Sequence, residues 1–134
     1  MQDIQPNLET PRLSLRPFVA ADARTVERLA GDRAISQHML QVPHPYPPGA
    51  ALAWIGTHAA DFAGDTGAHF AITLSATREL CGAISLDIQR AHRRAGMGYW
   101  LGQAYWGQGY AAEAARAVIA YGFSALKLNR IAAD

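Results

Sequence analysis

The sequence predicts a single α+β domain in which a central, mostly antiparallel sheet is flanked by helices. Segments in which apolar and polar residues alternate are typical of strands, and longer segments with apolar residues three or four positions apart are typical of helices. The two kinds of segment interleave along the chain, and 134 residues, half of them apolar, suffice for one hydrophobic core. Because no repeat or linker divides the sequence, residues 1–134 form one predicted domain.

The amino-terminal part of the chain predicts one strand and two helices. Residues 12–18, RLSLRPF, alternate and predict a first strand near a sheet edge, where Pro17 is tolerated. A helical stripe begins at Asp22 and ends before Gly31, a residue typical of the position after a helix. A second helix is predicted after the prolines at positions 47 and 48. Its apolar face consists of Ala51, Ile55, Ala59 and Phe62.

The remaining sequence predicts a meander, a long helix and one more strand. Alternating residues over 70–74 and 84–88 flank a polar turn and predict an antiparallel hairpin, which residues 96–101, GMGYWL, extend to three strands. The longest helix is predicted from Tyr110 to Leu126, with Glu113 in its first turn, where the helix dipole favours an acid. Residues 129–134, NRIAAD, begin a further strand.

Composition disfavours several classes of function. A net charge of +1 provides no general attraction for nucleic acid or an anionic membrane. No apolar run approaches the ~18 residues of a membrane span, and the polar amino terminus lacks a signal-peptide core, so a cytoplasmic location is expected. The five histidines show no short-spaced ligand pair, so no metal site is expected. Cys81 lies in an apolar segment and is interpreted as a buried thiol.

Two glycines just ahead of the longest helix form the leading candidate for a binding site. In YWGQGYAAE, Gly107 and Gly109 precede a helix start, whose unpaired N–H groups suit an anion, although glycines before a helix also simply form turns. Gly107, Gly109 and Ala112 also satisfy the dinucleotide fingerprint G-x-G-x-x-A, with Asp134 near the spacing of a ribose contact. That fingerprint belongs directly after the strand that opens a domain, whereas these glycines follow a meander. A P-loop is excluded because no Lys-Ser or Lys-Thr follows them.

The order of the elements, together with the segments TPRLSLRPF, HPYP, GYWLGQAYWGQGYAAEA and LNRIAA, resembles the GNAT superfamily of acyl-CoA-dependent N-acetyltransferases. The resemblance covers nearly the whole chain and is strongest to the branch that acetylates the amino termini of ribosomal proteins. It implies transfer of an acetyl group from acetyl-CoA to a primary amine, with the α-amine of a protein amino terminus as one candidate acceptor. It implies neither a metal nor a covalent enzyme intermediate.

The resemblance also implies roles for individual residues. The glycine loop and helix start would hold the pyrophosphate of acetyl-CoA through backbone amides, and the N–H of Leu101 would stabilise the oxyanion. Tyr99 is a candidate catalytic side chain. Tyr46, in the loop that walls the acceptor pocket of the family, is a candidate substrate contact or a tyrosine that only packs this proline-rich loop. The implied cofactor-binding residues are Trp100, Leu101, Gly102, Trp106, Gly107, Gln108, Gly109, Tyr110 and Ala111.

The sequence departs from the family pattern at positions that bear on activity. Ala104 stands where the superfamily often has Gln or Arg, a position that this branch commonly relaxes. Gly96 stands where relatives usually carry a glutamate that relays the proton of the amine. A lysine amine, with a pKa of about 10.4, needs a base more than an α-amine at about 7.7 to 8.0 does. The absence of a glutamate at position 96 therefore favours an α-amine acceptor, and equally a degenerate acetyl-CoA-binding module. Asp87, His92 and Tyr99 are alternative bases, or ordinary structural residues.

The end of the sequence is a further departure. The family continues past LNRIAA through another helix and two strands, which supply a tyrosine or serine that protonates the thiolate. The expectation is that the chain is a fragment, with the carboxy-terminal part of the fold missing, or that a partner subunit, as in a homodimer, completes the sheet. The basic turn of Arg90, His92, Arg93 and Arg94 is expected either to face an anionic ligand or to be solvated.

Overall fold

The centre of the molecule is a mixed sheet. The structure is a computed structural model that describes residues 5–30 and 49–133, and within them six strands lie side by side in chain order. Neighbouring strands from β1 to β5 pair antiparallel, and β6 pairs parallel with β5. The strands are β1 Leu8–Glu9, β2 Leu13–Arg16, β3 Gly67–Leu74, β4 Leu80–Gln89, β5 Arg94–Leu101 and β6 Arg130–Ala133.

Helices cover both faces of this sheet, which confirms the predicted α+β class. In the described part of the chain they are α1 Ala23–Ala30, α2 Ala50–Gly56, α3 His58–Ala63 and α4 Tyr110–Ser124. Helix α4 packs against one face, over residues such as Phe70, Ile84 and Leu86, and we call this the α4 face. Helices α1 and α2 pack against the other, over Ala71 and Trp100, and we call it the α1 face.

The first predicted strand is shorter in the structure than the sequence predicts. It ends at Arg16, so Pro17 lies outside it, and the short strand β1 precedes it. This strand pairs with β3 on one side and with the two-residue edge strand β1 on the other, which confirms the predicted position near an edge. The local pattern identified the strand, but the two residues of β1 are too short a segment to show an alternation of their own.

The second predicted helix is two helices. The N–H of Thr57 donates to the Trp54 carbonyl at 3.0 Å, and its hydroxyl donates to the same oxygen at 2.7 Å, which tightens the backbone between α2 and α3. The apolar stripe changes phase at this point: Ala59, predicted to face the core, is exposed, and His58 is buried instead. The predicted stripe is therefore wrong at Ala59, whereas Phe62 is partly buried and packs against the core as predicted.

Two further expectations can be compared with the structure. Cys81 is fully buried, and burial followed by the charge of Glu79 raises the pKa of its thiol to about 12, which confirms the interpretation of an inert buried thiol. Among the described residues, no helix has both the length and the apolar character that crossing a bilayer requires. Asp134, the last residue of the predicted final strand, lies outside the described residues.

Candidate functional site

The connection between β5 and α4 is an exposed loop that two glycines shape. Gly107 has a φ of 77° and Gly109 a φ of 81°, in the left-handed region that favours glycine. Gly109 immediately precedes α4, and no side chain caps that end of the 15-residue helix. The first N–H groups of α4 therefore point, together with the positive end of the helix dipole, towards a loop open to an anion.

The side chain of Arg12 fastens this loop to α4. Its Nη1 donates to the Gln108 carbonyl at 2.8 Å, and its Nε donates to Oε1 of Glu113 at 2.7 Å. The guanidinium carbon also lies 4.7 Å from the centroid of the Tyr110 ring. Oε2 of Glu113 accepts two more hydrogen bonds, from the Thr10 hydroxyl and from the Arg12 N–H. We call this group the Arg12–Glu113 clamp.

The clamp is charged at neutral pH. The side chain of Glu113 is only 8% exposed, and this burial acts to raise its pKa. The hydrogen bonds from Thr10 and Arg12, together with the Arg12 charge, act in the opposite direction and lower the pKa of Glu113 below its ordinary value. Glu113 is thus an ionised carboxylate that holds the β1–β2 segment and the glycine loop to the first turn of α4.

The edge of β5 next to the loop is the second part of the site. Strand β6 pairs with β5 from Arg94 to Met97, and on this side, opposite β4, the described residues place no strand beside the following four, Gly98–Leu101. The Gly102 N–H donates to the Cys81 carbonyl of β4 at 2.8 Å. Because backbone groups alternate in direction along a strand, those of Trp100 also face β4, and those of Tyr99 and Leu101 face the free edge.

The loop and this edge meet at Trp106. Its indole Nε1–H donates to the Leu101 carbonyl at 2.8 Å, and the side chain remains 39% exposed. The N–H of Trp106 donates to the Gln103 carbonyl at 3.2 Å, so the loop amides directed at a ligand begin after this residue. The structure therefore brings the glycine loop, the start of α4 and the Leu101 end of β5 together at one place.

The predicted site residues differ in their surroundings. Trp100 is buried in the core of the α1 face, and its backbone faces β4. Tyr99 is 47% exposed, and its backbone faces the free edge. Asp87 is exposed and pairs in register with Gly96. Tyr46 lies outside the described residues.

The basic turn has a structural role that neither sequence interpretation included. Arg90 Nη1 donates to the Leu126 carbonyl at 2.8 Å, and Arg93 donates to the Lys127 carbonyl through Nε and Nη2. These bonds dock the β4–β5 turn against the connection from α4 to β6. Nowhere in the described residues do three His, Cys, Asp or Glu side chains gather as they would around a metal ion.

Three comparisons with known proteins agree on one family. The family model described as Acetyltransferase (GNAT) domain matches residues 12–134. The uncharacterised N-acetyltransferase YoaA of Bacillus subtilis is 33% identical over 129 residues, which cover 96% of this chain and 72% of that protein. A candidate ribosomal-protein-serine acetyltransferase from Vibrio cholerae is 26% identical with a TM-score of 0.78, over 95% of this chain and 72% of that chain. RimL, an α-N-protein acetyltransferase solved in complex with coenzyme A, is 16% identical and has the same fold, with a TM-score of 0.76 over 94% of this chain and 72% of that chain.

Proposed function

Because the chain belongs to the GNAT family of acetyl-CoA-dependent N-acetyltransferases, we propose that it acetylates α-amines and binds acetyl-CoA between the glycine loop and the β5 edge. The observation that carries the proposal is the meeting of two complementary surfaces. An uncapped helix start suits a pyrophosphate, and a free strand edge suits the amide groups of a pantetheine arm. The Trp106 bond to Leu101 places these two surfaces side by side.

In this proposal the backbone supplies most of the contacts. The N–H groups of residues 107–111 bind the pyrophosphate, and the strand edge at Tyr99 and Leu101 pairs with the pantetheine. The Leu101 N–H stabilises the negative charge that forms on the thioester oxygen when the amine attacks. The C–N bond forms, the C–S bond breaks with its electron pair leaving on sulfur, and no side chain becomes acetylated.

The chemistry of the site supports an α-amine acceptor. Gly96 provides no carboxylate where relatives usually have one, so a lysine amine, charged at neutral pH, would lack its base. An α-amine has a pKa of about 7.7 to 8.0 and is partly neutral at pH 7. The similarity to a candidate ribosomal-protein-serine acetyltransferase supports the same choice.

Thiol release tests the acceptor class. Acetyl-CoA is mixed with the protein and with peptides that carry a free α-amine, matched peptides that carry only a lysine amine, polyamines or aminoglycosides. We expect release with the α-amine peptides and little with the lysine peptides. Binding of acetyl-CoA without release for any acceptor would instead identify a catalytically degenerate acetyl-CoA-binding module.

The pyrophosphate assignment is tested at Gly109. Gly109→Asp places a carboxylate at the proposed anion site, and we expect the acetyl-CoA affinity measured by calorimetry to fall at least tenfold, or about 1.4 kcal/mol. Gly49→Asp is the matched control, because Gly49 also has a φ of 81° and precedes a helix. Equal affinities of the two variants would contradict the assignment.

A further inference from the structure

A histidine on β3 joins a hydroxyl and a carboxylate on the α1 face of the sheet. His69 Nδ1 lies 2.8 Å from Oγ of Ser85 in β4, and His69 Nε2 lies 3.0 Å from Oδ2 of Asp61 in α3. The His69 side chain is 16% exposed and that of Asp61 is 37% exposed. The roles proposed above use none of these residues, and we call them the Asp61–His69–Ser85 relay.

The carboxylate determines which nitrogen of His69 carries the proton. Asp61 can only accept, so the hydrogen of the neutral imidazole is assigned to Nε2, and Nδ1 then accepts a hydrogen bond from the Ser85 hydroxyl. His69 Nδ1 is therefore a base that is hydrogen-bonded to the Ser85 hydroxyl. Ser85 Oγ retains lone pairs that can accept a hydrogen bond from another donor. Such an arrangement can take up a proton from a group that donates a hydrogen bond to Ser85 Oγ.

Aromatic neighbours hold the ring of His69 in this orientation. His58 stacks on it with ring centroids 4.1 Å apart, and Trp54 meets it edge-on at 5.9 Å. Burial, followed by the charge of His69, lowers the pKa of His58 to about 3, so His58 stays neutral beside the relay. The ionisable groups on the described elements around His69 are His58 and Asp61 of α3, Asp87 of β4, and Arg16 at the end of β2 with its ion-pair partner Asp22.

Ser85 lies beside a stretch of β5 that has little side-chain cover. It pairs in register with His69 on one side and with Gly98 on the other. A Cβ built on Gly98 meets no atom within 4 Å, so the described residues leave open space above it. Gly98 directly precedes Tyr99, whose backbone faces the free edge of β5. The Ser85 hydroxyl is thus one strand away from Gly98, next to the Tyr99 part of the proposed pantetheine edge, and the Leu101 N–H lies three residues, or about 10 Å, further along β5.

We propose that the Asp61–His69–Ser85 relay accepts the proton that the acceptor amine loses, an inference that rests on the proposed function. As the amine nitrogen bonds to the thioester carbon, it gives a proton through water molecules in the open space above Gly98 to Ser85 Oγ, and Ser85 gives its own proton to His69 Nδ1. Asp61 stabilises the imidazolium, which returns the proton to solvent, while the C–S electron pair leaves with sulfur. This is the proton that a neutral amine loses on attack, so the relay does not replace the base that a charged lysine amine would need at Gly96.

The pH dependence of catalysis tests the relay. With acetyl-CoA and a lysine-free peptide as substrates, we expect Ser85→Ala and His69→Gln each to lower kcat/KM about 10²- to 10³-fold near pH 7. The loss is expected to persist as the pH rises past about 8, because an amine that is already neutral still loses a proton when it attacks. Ser85→Thr keeps the hydroxyl and is expected to retain most of the activity. The acetyl-CoA affinity measured by calorimetry is expected to stay unchanged in all three variants.

Gln89→Ala is the matched control, because Gln89 is an exposed residue of the same strand with no proposed role, and Asp87→Asn tests the carboxylate that the sequence offers as an alternative base. The relay is overturned if Asp87→Asn loses the activity while the relay variants keep it, or if mass spectrometry finds an acetyl group on Ser85. It is also overturned if Ser85→Thr, shown to be folded by circular dichroism, is as inactive as Ser85→Ala. If the unaltered protein binds no acetyl-CoA, the proposed function fails and the relay fails with it.

Discussion

His58 is buried on the α1 face, where neither of its ring nitrogens has a hydrogen-bond partner among the residues that the structure describes. The side chain packs between the rings of Phe18, Trp54 and His69, at centroid distances of 5.4, 4.4 and 4.1 Å. Burial is the main cause that lowers its pKa to about 3 from an ordinary 6.5. A buried imidazole without partners must be neutral to remain there, which links the stability of the fold to pH.

The pH dependence of unfolding tests this link. Between about pH 6.5 and pH 3 the unfolded chain protonates His58 and the folded chain does not, so the free energy of unfolding falls as the pH decreases through this range. The slope from one such group is at most about 1.4 kcal/mol per pH unit. We expect His58→Phe to flatten this slope in urea titrations and to leave stability at pH 7 equal or higher, since it removes two unpartnered polar atoms.

An exposed histidine provides the comparison. His92 is exposed in the β4–β5 turn, and His92→Gln is expected to leave the slope as it is in the unaltered protein. If His58→Phe and His92→Gln gave the same slope, the neutral burial of His58 would not be the cause.

At the scale of elements, Gly82 determines how closely β4 and β5 approach each other. A Cβ built on this residue would overlap the Trp100 carbonyl oxygen and would lie 2.9 Å from the Leu101 Cα. Both obstacles are backbone, so they cannot move aside as the end of a flexible side chain would. The same two residues form the Leu101 end of β5, where the thioester is proposed to bind.

Two glycine-to-alanine variants distinguish the effect of the close approach at Gly82 from the effect of replacing any glycine within a strand. We expect Gly82→Ala to lower the free energy of unfolding by about 2 to 3 kcal/mol, because the added methyl forces the two strands apart. Gly98→Ala, one strand away with no atom within 4 Å of the added Cβ, should be neutral or should raise stability by about 0.5 kcal/mol. Urea denaturation measures both, and equal losses would show that the overlap is relieved elsewhere.

The elements were predictable where the sequence pattern is local. The alternation over residues 70–74 and 84–88 lies within β3 and β4, because both strands bury one face under α4. The break between α2 and α3 was not predictable from periodicity, since it depends on the backbone and hydroxyl bonds that Thr57 makes to Trp54. A threonine that turns the chain at this point has the same sequence signature as one on the polar face of a continuous helix.

At the scale of the whole molecule, some parts of the site follow from a local sequence pattern, and others form only when distant residues meet in the fold. The need for glycine at positions 107 and 109 is a local backbone property, and the sequence indicated it. Glu113 was predicted only as a partner of the helix dipole, because the ion pair with Arg12 joins residues 101 positions apart and exists only in the folded sheet. The Asp61–His69–Ser85 relay likewise combines α3, β3 and β4, and no motif in the sequence marks it.

The Arg12–Glu113 clamp connects the amino-terminal strands, the glycine loop and α4, so breaking it should affect both stability and cofactor binding. Glu113→Gln keeps the shape of the side chain but removes the charge that Arg12 and Thr10 bind. We expect a loss of about 1 to 2 kcal/mol at pH 7, less than for a fully buried pair because Arg12 is 47% exposed. With the Gln108 carbonyl less firmly held, the acetyl-CoA affinity should also fall several-fold.

The stability difference between Glu113→Gln and the unaltered protein should depend on pH in one direction. Because the folded pKa of Glu113 lies below its ordinary 4.5, the carboxylate stabilises the fold above about pH 4.5, and this contribution is lost as the pH falls through the lowered pKa. Urea denaturation should therefore show the two proteins converging in acid. Arg116→Gln, which removes an exposed charge from the same helix, should change neither the free energy of unfolding nor the acetyl-CoA affinity. A stability gap for Glu113→Gln that stayed constant from pH 7 into acid would mean that the clamp acts through packing and not through charge.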